Sequence, residues 1–221
     1  MPRIFMGALL TAVLLAAPVA SQTIGTVDLD RMRGESAAAL PQALETYAQL
    51  ADAQVAGKLG LRSPAALADA RSLPAFVEFT LGIDALRSGQ AVERPLSMIG
   101  FTGRVIHPLD TGGGAATSVT IARGEGRWRS VSFGSPASTR AFLSARTAFL
   151  EREGGSMDDI FLLRVPAFNI AFVAALRGGG LRLGSAFAHL ELGIERGRSY
   201  DAIDLFGRLA APARARGAGP G

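Results

Sequence analysis

At residue 76 the apolar pattern of this chain changes period. Before it, Leu40, Leu44, Tyr47, Leu50 and Val55 recur at near-helical spacing; after it, Val77, Phe79, Leu81 and Ile83 alternate with Glu78, Thr80, Gly82 and Asp84. A recurrence of about 3.6 residues lines one stripe of a helix, whereas a recurrence of two lines one face of a strand. The chain is therefore expected to open with helices and continue as sheet.

The spacing predicts an extended or loop segment over 23–34 and a helix over 37–56 with Pro41 in its first turn. Ser63 and Pro64 are placed to cap and start a short helix reaching Arg71. A half-buried strand follows at 77–83 and another at 101–106, stopped by Pro108. Ser118 to Arg123 and Arg127 to Phe133 flank Gly124-Glu-Gly126 and read as a hairpin. Ser135 and Pro136 then open the clearest helix, with Ala141, Phe142, Ala145 and Phe149 on one side and Gly154-Gly155 at its end.

Beyond it, 160–165 and 167–176 are apolar runs separated by Pro166, expected as a bulged strand or two strands meeting at a corner. Gly178-Gly-Gly180 turns the chain into 181–188, a second hairpin, and Ser199 is placed to cap a last helix ending before Pro212. The predicted fold class is α+β: an antiparallel sheet built from hairpins, with a central and a C-terminal helix packed on it, after a helical N-terminal segment. The expected division is 1–21 as a signal peptide, 22–72 helical, 73–211 the α+β domain, in one globular unit with 22–72, and 212–221 a disordered tail.

The signal reading rests on Arg3, the apolar and small-residue run from Ile4 to Ala17, and the small residues after Pro18. That run is short of the roughly 20 apolar residues of a spanning helix. A secreted or periplasmic bacterial protein is expected, with no membrane span after cleavage. The absence of cysteine excludes disulfides, thiol nucleophiles and cysteine-bound metal centres. A net charge of +4, one less without Arg3, gives no whole-molecule attraction to nucleic acid. With 48% hydrophobic residues over 221 positions, the chain has enough apolar content for a sizeable core.

Asp110-Thr111-Gly112 resembles the tripeptide that carries the catalytic carboxylate of aspartic proteases. Two such carboxylates must share a proton, and this chain holds one copy, so only a dimer could complete that site. Its lead-in, His107-Pro108-Leu109, suits a flexible connection between Ile106 and Val119 better. His107 and His189 are the two candidate general bases, and no Gly-x-Ser-x-Gly elbow accompanies them. An exposed loop position is expected for His107 and a strand end for His189.

Metal and cofactor chemistry is not expected. His107 with Asp110, and His189 with Glu191, offer two ligands each where a zinc site wants three or four; Asp158-Asp159 reads as a solvated turn. Gly112 to Gly114 and Gly178 to Gly180 lack the Gly-Lys-Ser/Thr ending of a phosphate loop. Arg127-Trp128-Arg129, with Arg123 across the turn, gathers cations around the sole tryptophan, although strand alternation separates Trp128 from the two arginines. Trp128 is expected to pack on the central helix. The functional expectation is a non-enzymatic protein that binds a protein or small ligand; the alternative is a secreted hydrolase using Asp110 in a dimeric site or His107 as base. That alternative requires Asp110 or His107 to line a pocket with a second acid or a serine in reach.

Overall fold

In the computed structural model, which describes residues 22–50, 53–112 and 116–216, a parallel strand pair forms the centre of the sheet: β2 (Phe76–Leu81) and β6 (Phe161–Val165), with Phe79 opposite Leu163. From β2 an antiparallel meander runs outward through β3 (Ile99–Asp110), β4 (Ala116–Gly124) and β5 (Arg127–Phe133). A second runs the opposite way from β6 through β7 (Ile170–Arg177), β8 (Gly180–Ser185) and β9 (Ser199–Asp201). The order is β5-β4-β3-β2-β6-β7-β8-β9, and the two-residue β1 (Arg71–Ser72) pairs with the far end of β3. The fold is α+β and mostly antiparallel, with one parallel seam.

Helices cover both faces. On the first, α1 (Leu29–Ala37), α4 (Ile83–Arg87), α5 (Gln90–Glu93) and α7 (Ala202–Ala215) pack Met32, Leu86, Ala91 and Leu205 against Val77, Phe79, Val105, Leu163 and Leu183. On the same face, α2 (Leu40–Leu50) and α3 (Ala53–Lys58) bring Leu40, Ala43 and Ala56 onto Leu109, Val119 and Ile121. The opposite face is crossed by α6 (Pro136–Glu153), whose Phe142, Ala145 and Phe149 meet Phe76, Ile106, Leu162 and Val173. The helix after each meander thus lies on a different face, as a two-fold axis along the β2–β6 seam would place them. Phe76, Phe79, Phe149, Phe161, Phe172 and Phe206 are fully buried, each contributing about 1.5–3 kcal/mol relative to exposure.

Several expected elements differ, for identifiable reasons. Asp28 accepts the Arg31 N–H at 3.0 Å and so starts α1 inside the segment expected to be extended; the expected single helix over 37–56 is α2 and α3. Ser63 makes no side-chain cap, and Pro64–Leu67 is a 3-10 turn. β2 is buried on both faces, because α6 and the α1 side enclose it. β3 runs through Pro108 to Asp110: the Pro108 carbonyl accepts from Leu73, so the side without an N–H faces the gap between β1 and β2 and the pairing with β4 continues past it. Asn169 in the left-handed region closes β6 and β7 into a hairpin rather than a corner.

At the C-terminal end, Ser199 belongs to β9, and Asp201 caps α7 by accepting the Ile203 N–H at 2.9 Å. Pro212 lies inside α7, so the expected tail is helical to Ala215. Ser135 stands before α6 at φ 59° without a side-chain cap, its carbonyl taking the Thr139 N–H instead. The expected signal peptide at 1–21 lies outside the described residues.

Arg33 ties α1 to the sheet. Its guanidinium donates to the carbonyls of Ala75 (3.0 Å), Asp158 (2.7 Å) and Ile160 (2.6 Å), which satisfies polar backbone at the entry to the two central strands.

Candidate functional site: the cleft between α2 and β5

The structure places the two residues of the hydrolase alternative in ordinary structural positions. Asp110 ends β3, and its Oδ1 accepts the Gly112 N–H at 2.8 Å, which fixes the start of the turn towards β4. His107 is not in an exposed loop: it lies inside β3 at 2% exposure, because the strand continues past Pro108 and α1 covers it. A serine is within reach, Ser36 Oγ standing 2.9 Å from His107 Nε2, but Ser36 is fully buried as well. The Ser36 hydroxyl is also 3.0 Å from the Arg33 carbonyl; with its proton on that carbonyl, the neutral His107 tautomer that fits is the one donating to Ser36 through Nε2. Burial pushes His107 down to about 4. This pair is a sealed hydrogen bond under α1, without an opening for substrate.

The other singled-out groups are likewise structural. Ser156 and Asp159 form a capping box around the 3-10 turn that holds Asp158, and Asp159 pairs with Arg177 at 3.1 Å. His189 makes an isolated bridge with Ile194 in the loop beyond β8, not a strand end. Among the described residues no three of His, Asp and Glu come together to hold a metal ion.

The arginine and tryptophan cluster is different, because the structure gives it a concavity. A cleft of about 540 Å³ lies between α2 and β5, lined by Gln42, Thr46 and Tyr47 on the helix and Arg127, Trp128, Arg129 and Ser130 on the strand. Helical spacing explains the first wall: Gln42, Ala43, Thr46 and Tyr47 form one stripe along α2, continued by Ala39 just before it. Position at the sheet edge explains the second, since β5 has no described strand on its outer side. Alternation still sends Trp128 and the arginines to opposite faces, but at an edge both faces border the same opening.

Trp128 does not pack on α6. It lies on the other face, where its indole N–H donates to Glu35 of α1 at 3.2 Å. Arg31 donates to the same carboxylate at 2.7 Å and, with the indole, holds Glu35 below the usual carboxylate range. Ser130 donates to the Tyr47 hydroxyl at 3.0 Å, and the Tyr47 ring sits 4.2 Å from that of Phe133. The aromatic floor is therefore fixed, while exposed Arg127 and Arg129 have no partner among the described residues. Sequence reading found Trp128 and its arginines but not Tyr47, Gln42 and Thr46, whose apposition depends on packing 80 residues apart.

Two further clefts are less suited to chemistry. One of about 410 Å³ beside Leu96, Leu181 and Ile203 is almost wholly apolar; one of about 480 Å³ is bordered by Asp28, Asp30 and Asp159, which already cap or pair. No protein-family model matches this chain, and no match is found among curated proteins or solved structures. No described helix is long and apolar enough to cross a membrane.

Proposed function

We propose that this chain is an exported, non-enzymatic binding protein whose ligand occupies the cleft between α2 and β5. One observation supports this reading above the others: two unpaired arginines, a tryptophan and a tyrosine border one opening at an open sheet edge. Arginine and aromatic side chains concentrate at the energetic centres of interfaces, because planar guanidinium and ring faces gain much contact for little lost freedom. The cleft volume lies within the range of roughly 300–1,000 Å³ usual for ligand sites. Its fixed floor favours binding without rearrangement. The buried Ser36–His107 pair and the turn-forming Asp110 act as structural groups in this reading.

The test is capture from an envelope extract by the wild-type chain and by Thr46→Phe, which fills the cleft from an exposed helix position. A partner retained by the wild type and lost by Thr46→Phe is the expected result. Identical capture by both chains overturns the assignment of the cleft.

A further inference from the structure

We propose that the outer edge of β5 accepts an extended acidic segment of a partner protein as an added strand; this rests on the cleft beside α2 being the binding site. Glu125 (φ 49°) and Gly126 (φ 77°) form a two-residue turn with both central residues left-handed, the geometry that makes Gly124 and Arg127 a hydrogen-bonded pair. Alternation along the ladder then turns the backbone groups of Trp128 and Ser130 away from β4, towards the open side. β5 ends the strand order, so no described strand meets them.

The side chains specify what such a strand would carry. Arg127 and Arg129 share the sheet face opposite Trp128, at the rim of the cleft, two residues apart and so about 7 Å from one another, matching alternate side chains of an added strand. Acidic residues at those alternate positions would stand beside the two guanidinium groups. Arg129 also shares a row with Arg104 across the small Ala122, but Arg104 stands 3.8 Å from the Glu78 carboxylate, so the charge offered at the edge is that of Arg127 and Arg129. The strand's other side chains would face the cleft, over Trp128 and towards Gln42 and Thr46, where small polar groups fit. A second copy of β5 is a poor occupant, since its arginines would meet these arginines. The bulge at Val131 breaks the register and limits the usable edge to Arg127–Ser130.

The sole tryptophan makes the site self-reporting. Emission from Trp128 in the full chain is followed against three capped peptides: Thr-Glu-Thr-Glu-Thr-Glu, the same composition with its acids contiguous, and the alternating sequence with every Thr replaced by Pro. The threonines would lie opposite Trp128 and Ser130, so proline removes the donors of the new ladder while the charge stays constant. The alternating peptide should bind saturably and at least tenfold more tightly than either control. The double variant Arg127→Ala/Arg129→Ala, at two exposed positions, should lose about tenfold with an unchanged melting curve. Equal binding of the proline peptide, an unchanged double variant, or no binding of the alternating peptide overturns the added strand. If it is overturned while capture from extract still depends on Thr46, the cleft assignment stands with a different ligand; if capture is also indifferent to Thr46→Phe, both fall.

Discussion

His107 Nε2 lies 2.9 Å from Ser36 Oγ, and neither residue exposes more than 2% of its surface. This contact closes α1 over β3 and makes fold stability depend on a neutral imidazole. The ordinary histidine value is near 6.5, whereas burial lowers His107 to about 4, so the unfolded chain binds the proton more readily than the folded one. Stability is therefore complete above about pH 6.5, falls as pH drops towards 4, and loses no more below that; the whole loss is on the order of 3 kcal/mol. Urea unfolding across this window should show a steeper pH dependence for the wild type than for His107→Gln, whose amide can still donate to Ser36. Parallel pH profiles would show that His107 does not carry the effect.

A buried carboxylate sits at the central seam. Glu78 on β2, its side chain 3% exposed, pairs with Arg164 of β6 and stands 3.8 Å from Arg104 of β3. Removing Arg164 leaves the carboxylate buried with one distant cation, and losing one partner of a buried pair costs about 3–5 kcal/mol. Since Arg164 is 40% exposed, solvent reduces this to roughly 2–3 kcal/mol. Arg164→Ala should destabilise by that amount, and adding Glu78→Gln should recover part of it. Additive losses in denaturant melts would show that the two side chains are not coupled.

Local chemistry made much of this fold legible, and distance hid the rest. Gly124-Glu-Gly126 and Gly178-Gly-Gly180 announced their hairpins because the required turn conformations are written in adjacent residues. Pro108 misled for the complementary reason: whether a proline breaks a strand depends on what lies beside its missing N–H, and here that is a gap. The parallel seam, the Glu78–Arg164 pair and the Trp128–Glu35 bond join residues more than 80 positions apart, beyond any periodic pattern. Both strand alternation and the cleft at Trp128 are correct, because edge position lets two faces share one opening.

Close approach of α6 to β8 gives a third test. A Cβ built on Gly184 would lie 2.8 Å from a ring carbon of Phe149 and 2.9 Å from a methyl of Val173, in a region where both side chains are fully packed. Gly184→Ala should cost about 1–3 kcal/mol through overpacking. Gly25→Ala meets nothing within 4 Å and serves as the control. Thermal melts of the two variants should separate by several degrees; equal midpoints would mean that α6 can move away from the sheet without loss.

The Glu35–Trp128 bond links a titratable group to the optical probe. The Arg31 hydrogen bond foremost, and then the indole N–H, favour the charged carboxylate; burial opposes them, and the net direction is down. A depressed carboxyl keeps its contribution above the unfolded pKa and loses it as pH falls through the folded one. Trp128 emission should therefore stay constant through the ordinary glutamate range, near 4.3, and change only at more acid pH, where the acceptor becomes protonated. Glu35→Gln keeps an acceptor but cannot titrate, so its emission should lack that step. A wild-type midpoint at or above 4.3 that vanishes in Glu35→Gln would reverse the sign assigned to this site. A change between pH 4 and 6.5 that persists in Glu35→Gln and disappears in His107→Gln would instead report α1 loosening from β3, since α1 carries both Ser36 and Glu35.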